Sequence, residues 1–244
     1  MITVSDYSMQ LGDFRLDDIN LKIEDGEIFA LIGESGAGKT ILLEAMAGFH
    51  GSDAGAVYYE NTPVRQIPLG LRKVGFVYQD LSLFPNMTVR QNVEFGLKMK
   101  GVSGKQRHKI SNNIMKELKI YDICERFPES LSGGEKQRTA LARSIVLKPR
   151  ILFMDEPFSA LDPATRLQMY DLIKYIHASC GCTIVFVTHN FEEAQLLADR
   201  VGILLGGRLR KVCGSAELFA DNFDSDVMNF LGMENRLDDC RNII

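Results

Sequence analysis

The chain has 244 residues, 45% of them hydrophobic and 25% charged, with a formal net charge of −4. That is the composition of a soluble globular protein, long enough for one large α/β domain or a core with a lobe. The charge gives no reason to expect general affinity for nucleic acid, and no run of about 18 apolar residues exists to span a membrane. The first residues, Met1–Asp6, lack a basic stretch followed by an apolar one, which argues against a signal peptide. The five cysteines (124, 180, 182, 213 and 240) are odd in number and scattered. Cys180 and Cys182 are too close-set for a structural disulfide framework, and no second pair completes a zinc site. Free thiols in a reducing cytosol are therefore expected.

Residues 1–25 alternate weakly between apolar and polar, through Phe14, Leu16, Ile19, Leu21 and Ile23, which predicts antiparallel strands closed by an Asp25-Gly26 turn. Ile28–Ile32 reads as a buried parallel strand, and Ile41–Ala47 as a helix. Val57–Tyr59 is predicted to join the small antiparallel sheet, and Val74–Tyr78 to form a buried strand ending at Gln79. Val89–Met99, Lys105–Leu118 and Glu135–Leu147 suit helices, so residues 88–148 read as a helical insert in an α/β core. Strands return at Ile151–Met154 and Thr183–Val187, each followed by a helical pattern, which implies a mainly parallel sheet with helices on its faces. Val201–Leu205 and Arg208–Val212, joined by Gly206-Gly207, read as a closing hairpin, and the polar stretch from 233 to 244 as a loosely ordered tail.

Between the Ile28–Ile32 strand and its helix lies Gly33-Glu34-Ser35-Gly36-Ala37-Gly38-Lys39-Thr40, which fits G-x-x-x-x-G-K-[ST] at every fixed position. Strand, glycine turn and helix form the geometry that phosphate binding needs. The glycines let backbone N–H groups converge on phosphate oxygens, and the helix N-terminus adds partial positive charge. Lys39 would reach the β- and γ-phosphates, and the Thr40 hydroxyl would ligate Mg²⁺.

Other candidates follow the strands. Ile151–Met154 runs into Asp155 and Glu156, at the end where parallel strands present ligands. Asp155 would orient Mg²⁺, and Glu156 would polarise an attacking water as general base. His189, in Thr188-His189-Asn190 after another strand, would hydrogen-bond the γ-phosphate or orient the water; Gln79 would touch Mg²⁺ or water. Leu131-Ser132-Gly133-Gly134-Glu135-Lys136-Gln137 is a second glycine turn opening a helix, readable as a capping box of Ser132 with Glu135, as an anion site, or as both. As an anion site it needs a nucleotide from elsewhere, because the chain has one phosphate loop.

Gly33–Thr40, Gln79, Leu131–Gln137, Asp155-Glu156, Ser159–Asp162 and His189 occur in the order seen in ATP-binding cassette (ABC) ATPases, which the chain resembles over residues 1–232. The resemblance implies a RecA-like phosphate-loop core, an antiparallel β-subdomain and an inserted helical subdomain. It implies bound ATP and Mg²⁺, with Gly33 to Thr40, Ile41, Ser132, Gly133, Gly134 and Asp162 contacting nucleotide. Lys39, Gln79, Glu156 and His189 would act in catalysis, and Thr40, Gln79 and Asp155 on the metal. Because the signature turn of one subunit closes over the ATP of the other in this family, it also implies a homodimer.

Gln79–Pro85 and Thr88–Val93 look like importer ATPases of the maltose, sulfate, polyamine, iron and molybdate kinds, and the compact start Leu11–Leu16 is most similar to molybdate/tungstate importers. That resemblance implies two transmembrane permease subunits docking near Gln79–Phe84, an extracytoplasmic solute-binding protein behind them, and a place on the cytoplasmic face of the membrane. Importers of iron, polyamine, sulfate or sugar are the alternatives. Non-transport cassettes are disfavoured: only about 90 residues separate Lys39 from Ser132, too few for the coiled coils of chromosome proteins, and the two-cassette layout of translation factors is missing. Leu11 stands where relatives carry an adenine-stacking aromatic; Tyr7 and Phe14 are the substitutes, Phe14 favoured. Val227–Asn235 resembles the approach to a C-terminal regulatory β-domain, which the sequence ends before reaching, so solute feedback through such a domain is not expected.

Overall fold

The computed structural model describes residues 1–220 and 223–233. The chain separates into two compact units, Met1–Ile67 together with the chain from Phe186 onward, and Pro68–Val185.

The first unit begins with β1 (Ile2–Leu11) and β2 (Phe14–Ile23), paired antiparallel as expected. The weak alternation has a physical cause. Each strand carries one residue in the left-handed region, Asp6 at φ 47° and Asp18 at φ 50°, and the register shifts beside Tyr7. A bulge inserts one residue and changes which face follows. The buried sets are accordingly Ile2, Val4, Tyr7, Met9 and Leu16, Ile19, Leu21, Ile23, each with one step of three among steps of two. β3 (Ile28–Gly33) is buried throughout and leads through the glycine turn into α1 (Lys39–Met46). β4 (Ala54–Tyr59) pairs antiparallel with β1, and β5 (Thr62–Pro63) with β4.

In the second unit, β6 (Val74–Val77) runs parallel to β7 (Ile151–Asp155). Between them come α2 (Val89–Met99), α3 (Gly104–Glu117) and α4 (Gly133–Ile145). α2 buries Val89, Val93 and Leu97, four residues apart on one stripe. α5 (Pro163–Cys180) starts on Pro163 and ends at Gly181 in the left-handed region. β8 (Thr183–Val187) follows, and the boundary between the units falls within it.

The first unit resumes with α6 (Phe191–Leu197), β9 (Arg200–Leu205), β10 (Arg208–Gly214) and α7 (Ser225–Phe230). β9 is parallel to β3 and forms the expected antiparallel hairpin with β10. At the hairpin tip Gly207 has φ 75°, and a Cβ there would lie 2.0 Å from the Arg15 carbonyl, so only glycine lets the tip meet β2. α7 is a helix that sequence reasoning did not single out. The tail expected over 233–244 lies, Met233 apart, outside the described residues. Among the described residues no helix is long and apolar enough to cross a membrane.

Candidate functional site

In the first unit the phosphate loop connects β3 to α1. Gly36 and Gly38 hold φ of 80° and 95°, backbone that a side chain would strain. A Cβ on Gly38 would also sit 2.2 Å from Cζ of Phe14, so the ring of Phe14 lies directly on the loop. Gly38 is the N-cap of α1 and offers no side-chain cap, leaving the start of that helix to backbone groups. Lys39 is buried, and its Nζ donates to the carbonyls of Gly33 at 2.9 Å and Glu34 at 2.8 Å, which holds the ammonium within the turn. Glu34, Ser35, Gly36 and Thr40 are exposed, Ala37 is buried and Ile41 half-buried.

His189 is exposed two residues beyond the end of β8, where Thr188 N–H donates to the Leu31 carbonyl of β3 at 3.2 Å. Its loop is held from below: the Asn190 N–H donates to Thr188 Oγ1 at 3.0 Å, and the Thr188 hydroxyl donates to the buried Glu193 carboxylate. Of the two aromatic candidates near the N-terminus, Tyr7 is ruled out as a stacking face. It is 2% exposed, its hydroxyl donates to the Gly51 carbonyl at 2.8 Å, and burial pushes its pKa up to about 12. Leu11 is exposed.

In the second unit Asp155 closes β7, 4% exposed, with Glu156 next in a left-handed conformation at φ 42°. Ser159 fixes that strained residue, donating from N and Oγ to the Glu156 carbonyl at 3.3 and 3.0 Å. Gln79, exposed two residues after β6, places its Nε2 3.5 Å from Glu156 Oε2. The amide and the carboxylate that sequence reasoning assigned to one chemical step therefore stand side by side.

The second glycine turn is a complete capping box. Ser132 Oγ accepts from Glu135 N at 3.3 Å, and Glu135 Oε2 accepts from Ser132 N at 2.8 Å and Oγ at 2.9 Å. The Ser132 backbone and hydroxyl donors hold the Glu135 carboxyl below its usual range. Gly134 faces Thr165, whose Cγ2 would be 2.8 Å from a Cβ there. Asp162 caps α5, accepting from Ala164 N and Thr165 N, each at 3.1 Å; a hydrogen bond from the Thr165 side chain, with these backbone donors, keeps its carboxyl ionised to lower pH than usual.

An open pocket of about 460 Å³ is lined by Ser132, Gly133, Gly134, Asp162, Arg138 and Gln168. Arg138 and Gln168 were not foreseen. Arg138 Nη2 donates to Gln168 Oε1 at 2.8 Å and brings a cation to the pocket. A basic residue within two turns of a glycine-opened helix was the signal available in the sequence.

A glycine turn on a buried strand, a sheltered lysine at a helix start and an acid-ended strand define a phosphate-loop nucleotide-binding protein. The comparisons with known proteins narrow that class. The ABC transporter family model matches residues 16–159. The molybdate/tungstate import ATP-binding protein WtpC of Pyrococcus abyssi is 41% identical over 235 residues, covering 96% of this chain and 68% of that protein. A probable sulfate/thiosulfate import ATP-binding protein CysA of Chlorella vulgaris is 36% identical, covering 96% and 99%. Among solved structures, the ATP-binding cassette MJ0796, in a dimeric post-hydrolysis state bound to ADP and Pi, matches with a TM-score of 0.79 and 29% identity over 88% of this chain and 99% of that one. The chain belongs to the ABC transporter family. It is an ATPase with that family's cassette fold, a RecA-like phosphate-loop core.

Proposed function

We propose that the chain is the ATP-hydrolysing subunit of an ABC importer whose solute is an oxyanion, molybdate or tungstate. The observation that carries the nucleotide chemistry is the phosphate loop, with Lys39 held inside a turn whose left-handed backbone Gly36 and Gly38 adopt without strain. The importer assignment rests on relatives named as import ATP-binding proteins, and the solute on the 41% identity to the molybdate/tungstate protein. The sulfate/thiosulfate relative is the second reading, and its cargo is also a tetrahedral oxyanion.

In this reading the backbone of Gly33–Thr40 cradles the phosphates, with Ile41 beside it and Phe14 against the adenine side. Lys39 carries positive charge to the β- and γ-phosphates. Water attacks the γ-phosphorus in line with the departing β-phosphate oxygen. Glu156 accepts a proton from that water while His189 and Gln79 orient it. The residues fit Mg²⁺ by their chemistry: the Thr40 hydroxyl, the Gln79 amide oxygen and the Asp155 carboxylate are all hard oxygen donors. Bound there, Mg²⁺ would neutralise charge on the phosphate oxygens. Ser132, Gly133, Gly134 and Asp162 complete the site on the nucleotide held by a second copy, so the working form is a homodimer on two permease subunits at the cytoplasmic face of the membrane. Residues 88–148 serve as the helical subdomain that meets those subunits near Gln79–Phe84, and a solute-binding protein delivers cargo from outside.

The test is transport. Membrane vesicles carrying the chain with its co-purifying membrane subunits should take up labelled tungstate in an ATP-dependent manner, with molybdate competing and sulfate competing at least about tenfold more weakly. Preferential sulfate uptake would overturn the solute assignment. Co-purification with ribosomes and no membrane protein would overturn the importer reading.

A further inference from the structure

The loop between β6 and α2 contains two non-glycine residues in the left-handed region, Leu81 at φ 62° and Ser82 at φ 42°. In that conformation Cβ crowds the following carbonyl oxygen, and the strain persists only where surrounding groups hold it. Here the hold comes from two side chains outside the loop. Arg143, near the end of α4, donates through Nη1 to the Ser82 carbonyl at 2.6 Å and through Nη2 to the Leu81 carbonyl at 2.8 Å. The same guanidinium lies 5.3 Å from the centre of the Phe84 ring. Asn92, fully buried in α2, accepts from Phe84 N at 2.9 Å and turns its amide donors to the carbonyls of Phe84, Met87 and Thr88 at 3.2, 3.0 and 3.1 Å. Asp80 tightens the turn by accepting from Ser82 N at 3.0 Å and Ser82 Oγ at 2.6 Å.

Gln79, immediately before this turn, is the residue whose amide stands 3.5 Å from Glu156. An exposed side chain keeps such a position only if its backbone is fixed, and β6 ends two residues earlier. We propose that Arg143 and Asn92 are positioning residues for hydrolysis: together they lock the strained Leu81–Thr88 loop and so set where Gln79 meets Glu156. The proposal rests on the assignment of Gln79 to Mg²⁺ and water. The fork matters. A guanidinium spans two successive carbonyls through two nitrogens, whereas an ammonium is a point donor that cannot hold both in one plane. The strain gives the pair an internal control, because glycine adopts the left-handed region without penalty.

The experiment measures ATP hydrolysis by the purified full chain while ATP and Mg²⁺ are varied, with thermal melting of each variant alongside. Arg143→Lys is expected to lower kcat by about tenfold and to raise the Mg²⁺ concentration at half-maximal rate at least about threefold, with KM for ATP changed less than about twofold. Asn92→Ala should give the same signature. Adding Leu81→Gly to Arg143→Lys should recover at least about threefold of the lost kcat, because the turn no longer needs to be forced. Wild-type kinetics in Arg143→Lys would overturn the proposal. So would a loss of rate that only tracks a loss of folded protein, with the Mg²⁺ dependence unmoved. A wild-type chain that hydrolyses no ATP at any Mg²⁺ concentration would instead overturn the underlying enzymatic reading, and the proposal with it.

Discussion

Gly38 concentrates two constraints on one residue: a left-handed backbone at φ 95° and a Phe14 ring where a side chain would begin. Either alone would make alanine costly there. Strain of about 1–2 kcal/mol from the backbone, together with displacement of the ring, should weaken ATP binding by at least about tenfold in Gly38→Ala. Equilibrium titration with a fluorescent ATP analogue checks this; unchanged affinity would mean that the loop does not hold the phosphates. The phosphate loop was legible because glycine, lysine and threonine at fixed spacing have a chemistry that spacing alone conveys. The Gln79–Glu156 approach was legible only as two separate strand ends. The roles of Arg143 and Asn92 were not legible, since what they bind are main-chain groups, which no side-chain pattern reveals. One trace existed: Asn92 falls on the α2 face that buries Val89 and Val93, and a polar residue on an apolar stripe must find partners.

Between elements, the plainest link is Glu94, buried on α2 and tied to α3. Its carboxylate accepts from Arg107 Nε at 2.8 Å and Ser111 Oγ at 2.7 Å, and it meets His108 Nδ1 at 2.6 Å. Burial raises the carboxyl's pKa, but the Ser111, His108 and Arg107 hydrogen bonds outweigh it and bring the value below the ordinary 4.5. A carboxyl with a lowered folded-state pKa stabilises the fold fully above its unfolded value, and that contribution disappears as pH falls through the folded value. Wild type should therefore melt higher than Glu94→Gln near neutral pH, and the gap should close as pH drops below 4.5. A gap that stays constant down to about pH 3 would deny Glu94 this role. Element bounds were readable where the apolar pattern is plain, one stripe in Val89–Met99 and an unbroken buried run in Thr183–Val187: both match their predicted limits residue for residue. They blurred in β1 and β2, where bulges at Asp6 and Asp18 shift the alternation. α7 escaped notice because six residues, Ser225–Phe230, are too few to show a period.

For the whole chain, the chemistry is divided. The phosphate loop and His189 belong to one compact unit, and Gln79, Asp155, Glu156 and the Ser132 turn belong to the other. There is one phosphate loop and one signature turn, and the signature turn borders an open pocket of about 460 Å³ with a cation, Arg138, at its wall. A pocket lined by glycines, a capped helix start and an arginine suits an anionic phosphate, which under the proposed function belongs to the nucleotide of a second copy. This claim is tested most directly by light scattering on Glu156→Gln with and without ATP and Mg²⁺. If Glu156 takes the water's proton, as proposed, the variant should keep ATP bound and unhydrolysed and shift from monomer to dimer. A variant that still hydrolyses ATP at the wild-type rate and stays monomeric would contradict both the role of Glu156 and the paired site.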